Sequence, residues 1–99
     1  MIRLMVLYPR GEGTHFNSEY WVNKHMPMVS TNLPKVKKWE ADIAAPDSPY
    51  YAVAHMYFDS AEDVQDTMSS AGIGVVMGDI PNYTNSSLII STNSVSATS

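Results

Sequence analysis

The apolar and polar residues of this chain alternate in patterns that predict four strands and two helices. The segments 2–8 and 50–58 are apolar runs of strand length, 35–44 is a predicted strand with mixed faces, and 86–92 is the last predicted strand. Between them, residues 17–32 and a segment that starts at residues 59–60 have apolar residues at helical spacing. Each of these two segments begins with a side chain that caps helices well.

The order strand, helix, strand, strand, helix, strand predicts the α+β class. It is the order of the ferredoxin-like βαββαβ fold, in which both helices lie on one face of a four-stranded antiparallel sheet. The strands at 2–8 and 50–58 are apolar on both faces. Because the second face would be uncovered in a monomer, we expect a homodimer in which two sheets meet face to face. Residues 1–92 form one predicted domain, and residues 93–99 form a predicted frayed tail.

Several local signals refine these boundaries. Asn17 is the predicted N-cap of the first helix, and Leu33–Pro34 ends it because a residue before proline avoids the helical region. The second helix places Ala61, Val64 and Met68 on one face, and residues 69–74 are expected to interrupt it before one further turn. The segment 79–84, DIPNYT, is a predicted loop.

Composition and charge exclude several classes of function. The 99-residue chain has six Lys and Arg against ten Asp and Glu, a net charge of −4, so we expect no nucleic-acid partner. It has no cysteine, and its histidines and carboxylates follow no metal-ligand spacing, so no metal site is expected. No apolar run is long enough for a signal peptide or a membrane span. We therefore expect a cytoplasmic protein without a membrane partner.

His25 lies in the middle of the apolar face of the first predicted helix. Its nearest neighbours on a helical wheel, within about 60° at ~100° per residue, are Trp21, Val22, Met28 and Val29. Met26 is expected on the flank of that face or outside it. Pro27 removes a backbone hydrogen bond and crowds the carbonyl four residues earlier, so the helix should bend near His25.

Two interpretations of His25 stay open at this point. An imidazole buried without partners costs about 1–3 kcal/mol, so His25 either has a partner in the core or faces a cavity that a ligand or water occupies. In the first case it is an ordinary core histidine bonded to a backbone carbonyl or a tyrosine. In the second it is a general acid or base in an apolar pocket. Burial would lower its pKa and the nearby helix C-terminus would raise it.

Four segments together resemble the EthD family of the dimeric α+β barrel superfamily: RLMVLYPR, F…EYW…HMPMV, PYYAVAHMYFDS and VMGDIPNYT. The resemblance extends from residue 2 to about residue 92, and its most specific parts are H-x-P at His25 and DIPNYT. It implies a ferredoxin-like fold, a dimer and a pocket between sheet and helices. It implies no single reaction, because members of the superfamily include cofactor-free monooxygenases, isomerases, cyclases and decarboxylases. In related isomerases, proton transfer is attributed to the histidine equivalent to His25.

Seven further residues are candidates for binding a ligand: Tyr8, Trp21, Met28, Tyr51, His55, Asn82 and Tyr83. Tyr8 ends the first strand, and Asn82 and Tyr83 offer donors to a carbonyl or phenol. His55 shares a face of its strand with Tyr51, and the opposite face carries small alanines. The sequence leaves open which face meets the helices, so His55 is a pocket residue or a hydrogen-bonded core or interface residue.

These observations lead to two hypotheses of function. In the first, a small apolar ligand, aromatic or cyclic, binds beside His25, which catalyses proton transfer without a cofactor in an isomerase, dehydratase or decarboxylase type of reaction. In the second, the protein is not an enzyme. It binds a ligand, or assists an oxygenase or a degradation pathway, and His25 only orients the ligand.

Overall fold

The computed structural model describes all 99 residues and contains four strands and two helical regions. The strands are β1 (Ile2–Pro9), β2 (Lys38–Ile43), β3 (Tyr50–Phe58) and β4 (Ile89–Ser94). The helical elements are α1 (Ser18–Tyr20), a π-helical turn (Trp21–His25), α2 (Met26–Asn32), α3 (Ala61–Met68), α4 (Ala71–Gly78) and a 3-10 helix (Ile80–Asn82). No helix is both long and apolar enough to span a membrane.

The strands form one sheet in the order β2-β3-β1-β4, and every neighbouring pair is antiparallel. The helical elements cover one face of this sheet. The predicted α+β class and the ferredoxin-like βαββαβ arrangement are therefore confirmed. The division into a domain at 1–92 and a frayed tail at 93–99 stays a prediction, although β4 extends to Ser94.

The core lies between the helices and the covered face of the sheet. In β1 and β3 alternate residues are buried, and the buried set of β3 contains both alanines. Ala52 and Ala54 lie opposite Tyr8 and Val6, so small side chains leave room for the helices above them. The face of β3 that the sequence left undetermined is thus settled: the alanine face meets the helices.

The first helical region begins and ends at the predicted residues. The Asn17 side chain accepts a hydrogen bond from the backbone N–H of Tyr20 at 3.1 Å, as an N-cap does. The region ends at Asn32, directly before Leu33–Pro34. A π turn separates α1 from α2, and in it the N–H of Met26 donates to the carbonyl of Trp21.

The π turn shifts the apolar face of this helix relative to the predicted one. Because i→i−5 bonding uses more residues per turn than an α-helix, residues within and after the π turn rotate towards different sides than in a regular α-helix. Met26 is consequently 1% exposed and Val22 is 38% exposed, so the predicted positions of both side chains are wrong. Pro27 is the second residue of α2, in the first turn after the π turn, which fits its lack of an N–H and its crowding of the preceding turn.

The second helical region differs from the prediction in its interruption. The Ser60 side chain caps α3 by accepting from the N–H of Asp63 at 3.2 Å, as the sequence predicts. The break is confined to Ser69 and Ser70, and α4 then includes the glycines that were expected to interrupt the helix. One of them, Gly72, lies against the backbone of Asn32, so α4 packs closely on α2.

Two strands are shifted relative to their predicted ranges. β2 begins at Lys38 rather than residue 35, because a turn places the N–H of Val36 on the carbonyl of Leu33. β4 covers Ile89–Ser94 rather than residues 86–92. Ser86 is instead held in a turn, where its hydroxyl donates to the carbonyl of Pro9 at 2.7 Å.

The second face of the sheet carries no helix. By the strand register it presents Met5 and Leu7 of β1 beside Val53 and His55 of β3. Its polar edge is β2, whose outward side chains are Lys38, Glu40 and Asp42. This face therefore combines an apolar centre with a charged border.

Candidate functional site

A cavity of about 40 Å³ lies between the covered face of the sheet and the helices α2 and α4. Fourteen of its fifteen lining residues are hydrophobic, and the exception is His25. Tyr8 also lines it, and its hydroxyl lies 2.7 Å from that of Tyr83. The predicted meeting of an imidazole with an apolar cavity is therefore present at the centre of the molecule.

The cavity is small in this conformation. By the same measure a water needs about 10–15 Å³, whereas a cavity that admits benzene has about 150 Å³. Four methionines form part of the wall: Met26, Met56, Met68 and Met77. Because methionine is flexible and adapts to irregular shapes, this wall can yield to a ligand. Met68 and Met77 are each 39% exposed, so part of the methionine wall also faces solvent.

Asp79 fixes the orientation of His25. Asp79 follows α4, and its Oδ2 lies 2.9 Å from Nδ1 of His25. His25 lies in the π turn, and only 3% of it is exposed. The other carboxylate oxygen accepts from the hydroxyl of Tyr20 and from the amide of Asn82, each at 2.8 Å. The Asp79 carboxylate thus accepts three hydrogen bonds, and its side chain cannot rotate without losing them.

The second nitrogen of His25 contacts a pair of tyrosines. The hydroxyl of Tyr83 lies 3.2 Å from Nε2 of His25, and the same hydroxyl lies 2.7 Å from that of Tyr8. The His25 and Tyr83 rings are 4.5 Å apart between centroids. A continuous chain of hydrogen bonds therefore connects Tyr8 in the cavity wall, through Tyr83 and His25, to Asp79 near the surface.

Burial and hydrogen bonding shift the pKa values of His25 and Asp79. Both shifts favour a neutral imidazole beside an ionised carboxylate. Burial lowers the pKa of the His25 imidazole below its ordinary value, and it outweighs Asp79, which raises it. Burial raises the pKa of the Asp79 carboxyl, but the hydrogen bonds from Asn82, His25 and Tyr20 outweigh it, so the net pKa is lowered. His25 is consequently neutral at pH 7 and available to accept a proton.

Burial also raises the pKa values of both tyrosines in the chain of hydrogen bonds. Desolvation is the main cause for Tyr8 and for Tyr83, so both phenols stay protonated at neutral pH. The pKa of Tyr20 is raised by its hydrogen bond to Asp79. All three phenols therefore keep their hydrogen at neutral pH and can donate hydrogen bonds.

Aromatic rings surround Tyr8 on the side away from the cavity. Phe16 and Trp21 pack edge-to-face on Tyr8, with centroid distances of 5.1 and 5.8 Å. The buried indole N–H of Trp21 makes no hydrogen bond of normal geometry. Burial raises the pKa of Tyr8, and the neighbouring Tyr83 and, less strongly, Trp21 lower it. This packing fixes the Tyr8 ring and hence the position of its hydroxyl.

The structure brings some of the predicted site residues together and separates others. Tyr8, His25 and Tyr83 form one hydrogen-bonded group, and Trp21 contacts Tyr8. Asn82 reaches the group only through Asp79. Their roles towards a ligand stay predictions.

The remaining three candidates lie outside the hydrogen-bonded group. Of all the predicted site residues, only Tyr8 and His25 line the cavity. Met28 is half-buried at the margin of the core, and its predicted place in the wall is taken by Met26. Tyr51 stacks on Phe16 at 5.6 Å, on the far side of the aromatic residues. His55 lies on the uncovered face of the sheet, where its Nε2 is 2.7 Å from Asp42.

The most important residue that the sequence analysis missed is Asp79. It was included in the DIPNYT segment only as part of a loop, because nothing local links a carboxylate to a histidine 54 positions earlier. Tyr20 was missed for the same reason. One signal was available. The family resemblance marks DIPNYT as a specific segment, and its first residue is the acidic Asp79.

No group of three or more His, Asp or Glu side chains converges in a way that could hold a metal ion. Apart from His25 and Tyr8, the residues that line the cavity are aliphatic or methionine. What this arrangement can do chemically is to surround an uncharged apolar molecule and to exchange a proton with it.

Comparisons with known proteins agree with the fold. The model of the EthD domain matches residues 14–87. An EthD-like protein from Ralstonia eutropha JMP134 has 29% sequence identity and a TM-score of 0.81, with 97% of this chain and 92% of that chain covered. No curated protein matches the sequence significantly.

Two more distant structures are similar in fold alone. A protein from Bacteroides fragilis NCTC 9343, described as dimeric and ferredoxin-like, has 11% identity and a TM-score of 0.65, with 93% of both chains covered. SnoaB from Streptomyces nogalater, described as a cofactor-independent oxygenase, has 8% identity and a TM-score of 0.68, with 98% of this chain and 93% of that chain covered.

Proposed function

Because this chain belongs to the EthD domain family, we propose that it binds a small apolar organic ligand, aromatic or cyclic, in the cavity between sheet and helices. We further propose that His25, oriented by Asp79, transfers protons to and from this ligand without a cofactor. The observation that carries the proposal is the neutral imidazole of His25, which lies in an otherwise apolar cavity and is bonded to a carboxylate.

The geometry suits a general base. A neutral imidazole accepts a proton, and the resulting imidazolium is stabilised by the adjacent Asp79 carboxylate. The reactions that such a group supports are isomerisation, dehydration or decarboxylation of an activated carbonyl compound. A second titratable residue of the lining, Tyr8, is connected to His25 through Tyr83 and favours this catalytic role over simple ligand storage.

Substitution of His25 tests the catalytic proposal. Once a ligand is found by screening uncharged aromatic and cyclic compounds, we expect His25→Gln to bind it and to lose turnover by about 10²–10⁴-fold, as removal of a general base does. His15→Gln is the matched control, because His15 is exposed and outside the site. Unchanged turnover in His25→Gln would contradict the mechanism.

A non-catalytic function is the second candidate, and one observation favours it. Both ring nitrogens of His25 already have partners within the protein, as in a histidine that only holds a structure together. In that case the protein binds or carries the ligand, or assists an oxygenase or a degradation pathway. Binding of a ligand without conversion, in wild type and His25→Gln alike, would support this candidate.

We also propose that the protein forms a homodimer through the uncovered face of its sheet. The apolar centre of that face supports the proposal, as does the dimeric state described for a protein of the same fold. Leu7→Asp places a charge in this centre, so sedimentation equilibrium should show a monomer. Val75→Asp, an exposed position on α4, should leave the dimer intact.

A cytoplasmic location stays a prediction from the sequence.

A further inference from the structure

The chain of hydrogen bonds through the site has a fixed direction, because a carboxylate at one end can only accept. Asp79 is ionised at neutral pH, so Nδ1 of His25 carries the hydrogen of their 2.9 Å contact. Neutral His25 then has only a lone pair at Nε2, and Tyr83 must donate its hydrogen to it across 3.2 Å. The oxygen of Tyr83 is left to accept, so Tyr8 donates to it across 2.7 Å.

With its hydrogen donated to Tyr83, the Tyr8 hydroxyl has only lone pairs left to offer. Its hydrogen is used by Tyr83, and Tyr8 lines the cavity whereas Tyr83 does not. Neither nitrogen of His25 is free to meet a ligand, because each is already bonded. Among the polar side chains of the lining, Tyr8 is thus the one with hydrogen-bonding capacity left, and that capacity is for accepting; a ligand would share it with the nearby indole N–H of Trp21.

Resting on the ligand site proposed above, we infer that Tyr8 is the residue that contacts the reacting group of the ligand, and that this group is the O–H of an uncharged phenol or enol. A ligand that offers only a carbonyl oxygen finds no donor in this wall. An anionic ligand finds no cation, because no Lys or Arg lines the cavity and the nearest charge is the Asp79 carboxylate. The site therefore selects neutral molecules that can donate a proton.

The corresponding proton transfer balances without any further reactant. The O–H bond of the ligand breaks, its electron pair stays on the ligand oxygen, and the proton forms a new O–H bond on Tyr8. The former hydrogen of Tyr8 moves to Tyr83, and the former hydrogen of Tyr83 moves to Nε2 of His25. The products are a ligand anion and an imidazolium bonded to Asp79. In this sequence Tyr8 is the catalytic residue, and His25 acts through the tyrosines as the terminal base.

Paired probes that differ only in the donor test this inference. Phenol and fluorobenzene have nearly the same shape, but only phenol donates a hydrogen bond. Binding is followed through the ring signals of His25 by NMR titration. We expect phenol to bind wild type about three- to ten-fold more tightly than fluorobenzene, which corresponds to one net hydrogen bond.

Three variants locate the source of that preference. Tyr8→Phe should reduce it to within about two-fold. Tyr50→Phe, the matched control outside the hydrogen-bonded chain, should keep it. Tyr83→Phe should release the hydrogen of Tyr8 towards the cavity, so that cyclohexanone, which only accepts, gains affinity relative to phenol. Thermal melts establish that each variant is folded.

The tautomer of His25 provides a readout that needs neither variant nor ligand. The ring ¹⁵N shifts should show hydrogen on Nδ1 and none on Nε2; the reverse tautomer would invert the whole chain and overturn the inference. Equal binding of phenol and fluorobenzene to wild type would overturn the inference but not the proposed ligand site. Failure of both probes to bind or to perturb His25 would overturn the ligand site and the inference together.

Discussion

Replacing Gly72 by alanine probes the close contact that holds α4 against α2 and so closes the cavity. A Cβ at position 72 would overlap the carbonyl oxygen of Asn32 and lie 3.0 Å from its carbonyl carbon. Both atoms belong to the backbone, so no side chain can rotate away and α4 itself must move. A Cβ at position 74, in the same helix, would meet nothing within 4 Å. The two glycines therefore form a matched pair.

The magnitude follows from two opposing contributions. Alanine stabilises a helix relative to glycine by about 0.5–1 kcal/mol, whereas overpacking costs about 1–3 kcal/mol. Gly74→Ala should have only the first contribution and stabilise the protein by about 0.5–1 kcal/mol. In Gly72→Ala the second dominates, and we expect a net destabilisation of about 1–2 kcal/mol, or a Tm lower by roughly 4–16 °C.

Urea unfolding followed by circular dichroism measures both changes, with an unchanged m-value as the condition for comparing the midpoints. The reasoning would be refuted if Gly72→Ala were as stable as Gly74→Ala. That result would mean that α4 has room to accept a Cβ and that the contact with Asn32 does not hold it in place.

Three further predictions concern the site and the helix that carries it. Asp79→Asn should lower the pKa of His25 further, because the carboxylate raises it; a pKa that stays the same or rises by NMR titration would contradict this role. Because the folded state lowers the pKa of His25, its contribution to stability is present above the unfolded pKa of about 6.5 and is lost as pH falls through the folded pKa. Urea midpoints between pH 7.5 and 5 should therefore fall less steeply in His25→Gln than in wild type, and equal slopes would count against the buried neutral imidazole. Met26→Ala should destabilise the protein by about 2–5 kcal/mol and Val22→Ala by less than about 0.5 kcal/mol; equal losses in thermal or urea unfolding would exclude the π turn.

The strands were predictable because alternation of side chains along a strand is a local property. The run at residues 50–58 gave β3 with its bounds, and its two apolar faces indicated that both would be covered. Which face meets the helices could not be predicted, since alanine and tyrosine both suit a sheet interior. The structure answers this through the pairing of Ala52 with Tyr8, which joins residues far apart in sequence.

The first helix shows where a helical wheel fails. Its cap at Asn17 and its end before Pro34 follow from the chemistry of single residues. The side-chain positions depend on a constant 3.6-residue period, and the π turn violates that assumption. A proline at position 27 indicated a disturbance near His25, but the sequence could not distinguish a bend from a change in hydrogen-bonding pattern.

The candidate site was predictable only in its centre. His25 was identifiable because a titratable side chain interrupts an apolar face. Its partners Asp79 and Tyr83 follow α4 and come from a distant segment, so their contact depends on how the helices pack. The glycines of α4 illustrate the same limit: the sequence suggested a helix break, whereas Gly72 is required by a contact with Asn32.

The pKa of His25, measured by NMR titration of its ring protons with His25→Gln for assignment, tests the central claim most directly. The account predicts a pKa below about 6.5 that changes when phenol or another uncharged aromatic ligand is added, because the imidazole is buried beside the ligand cavity. A pKa at or above that value, unaffected by any such ligand, would contradict both the neutral base and the ligand site.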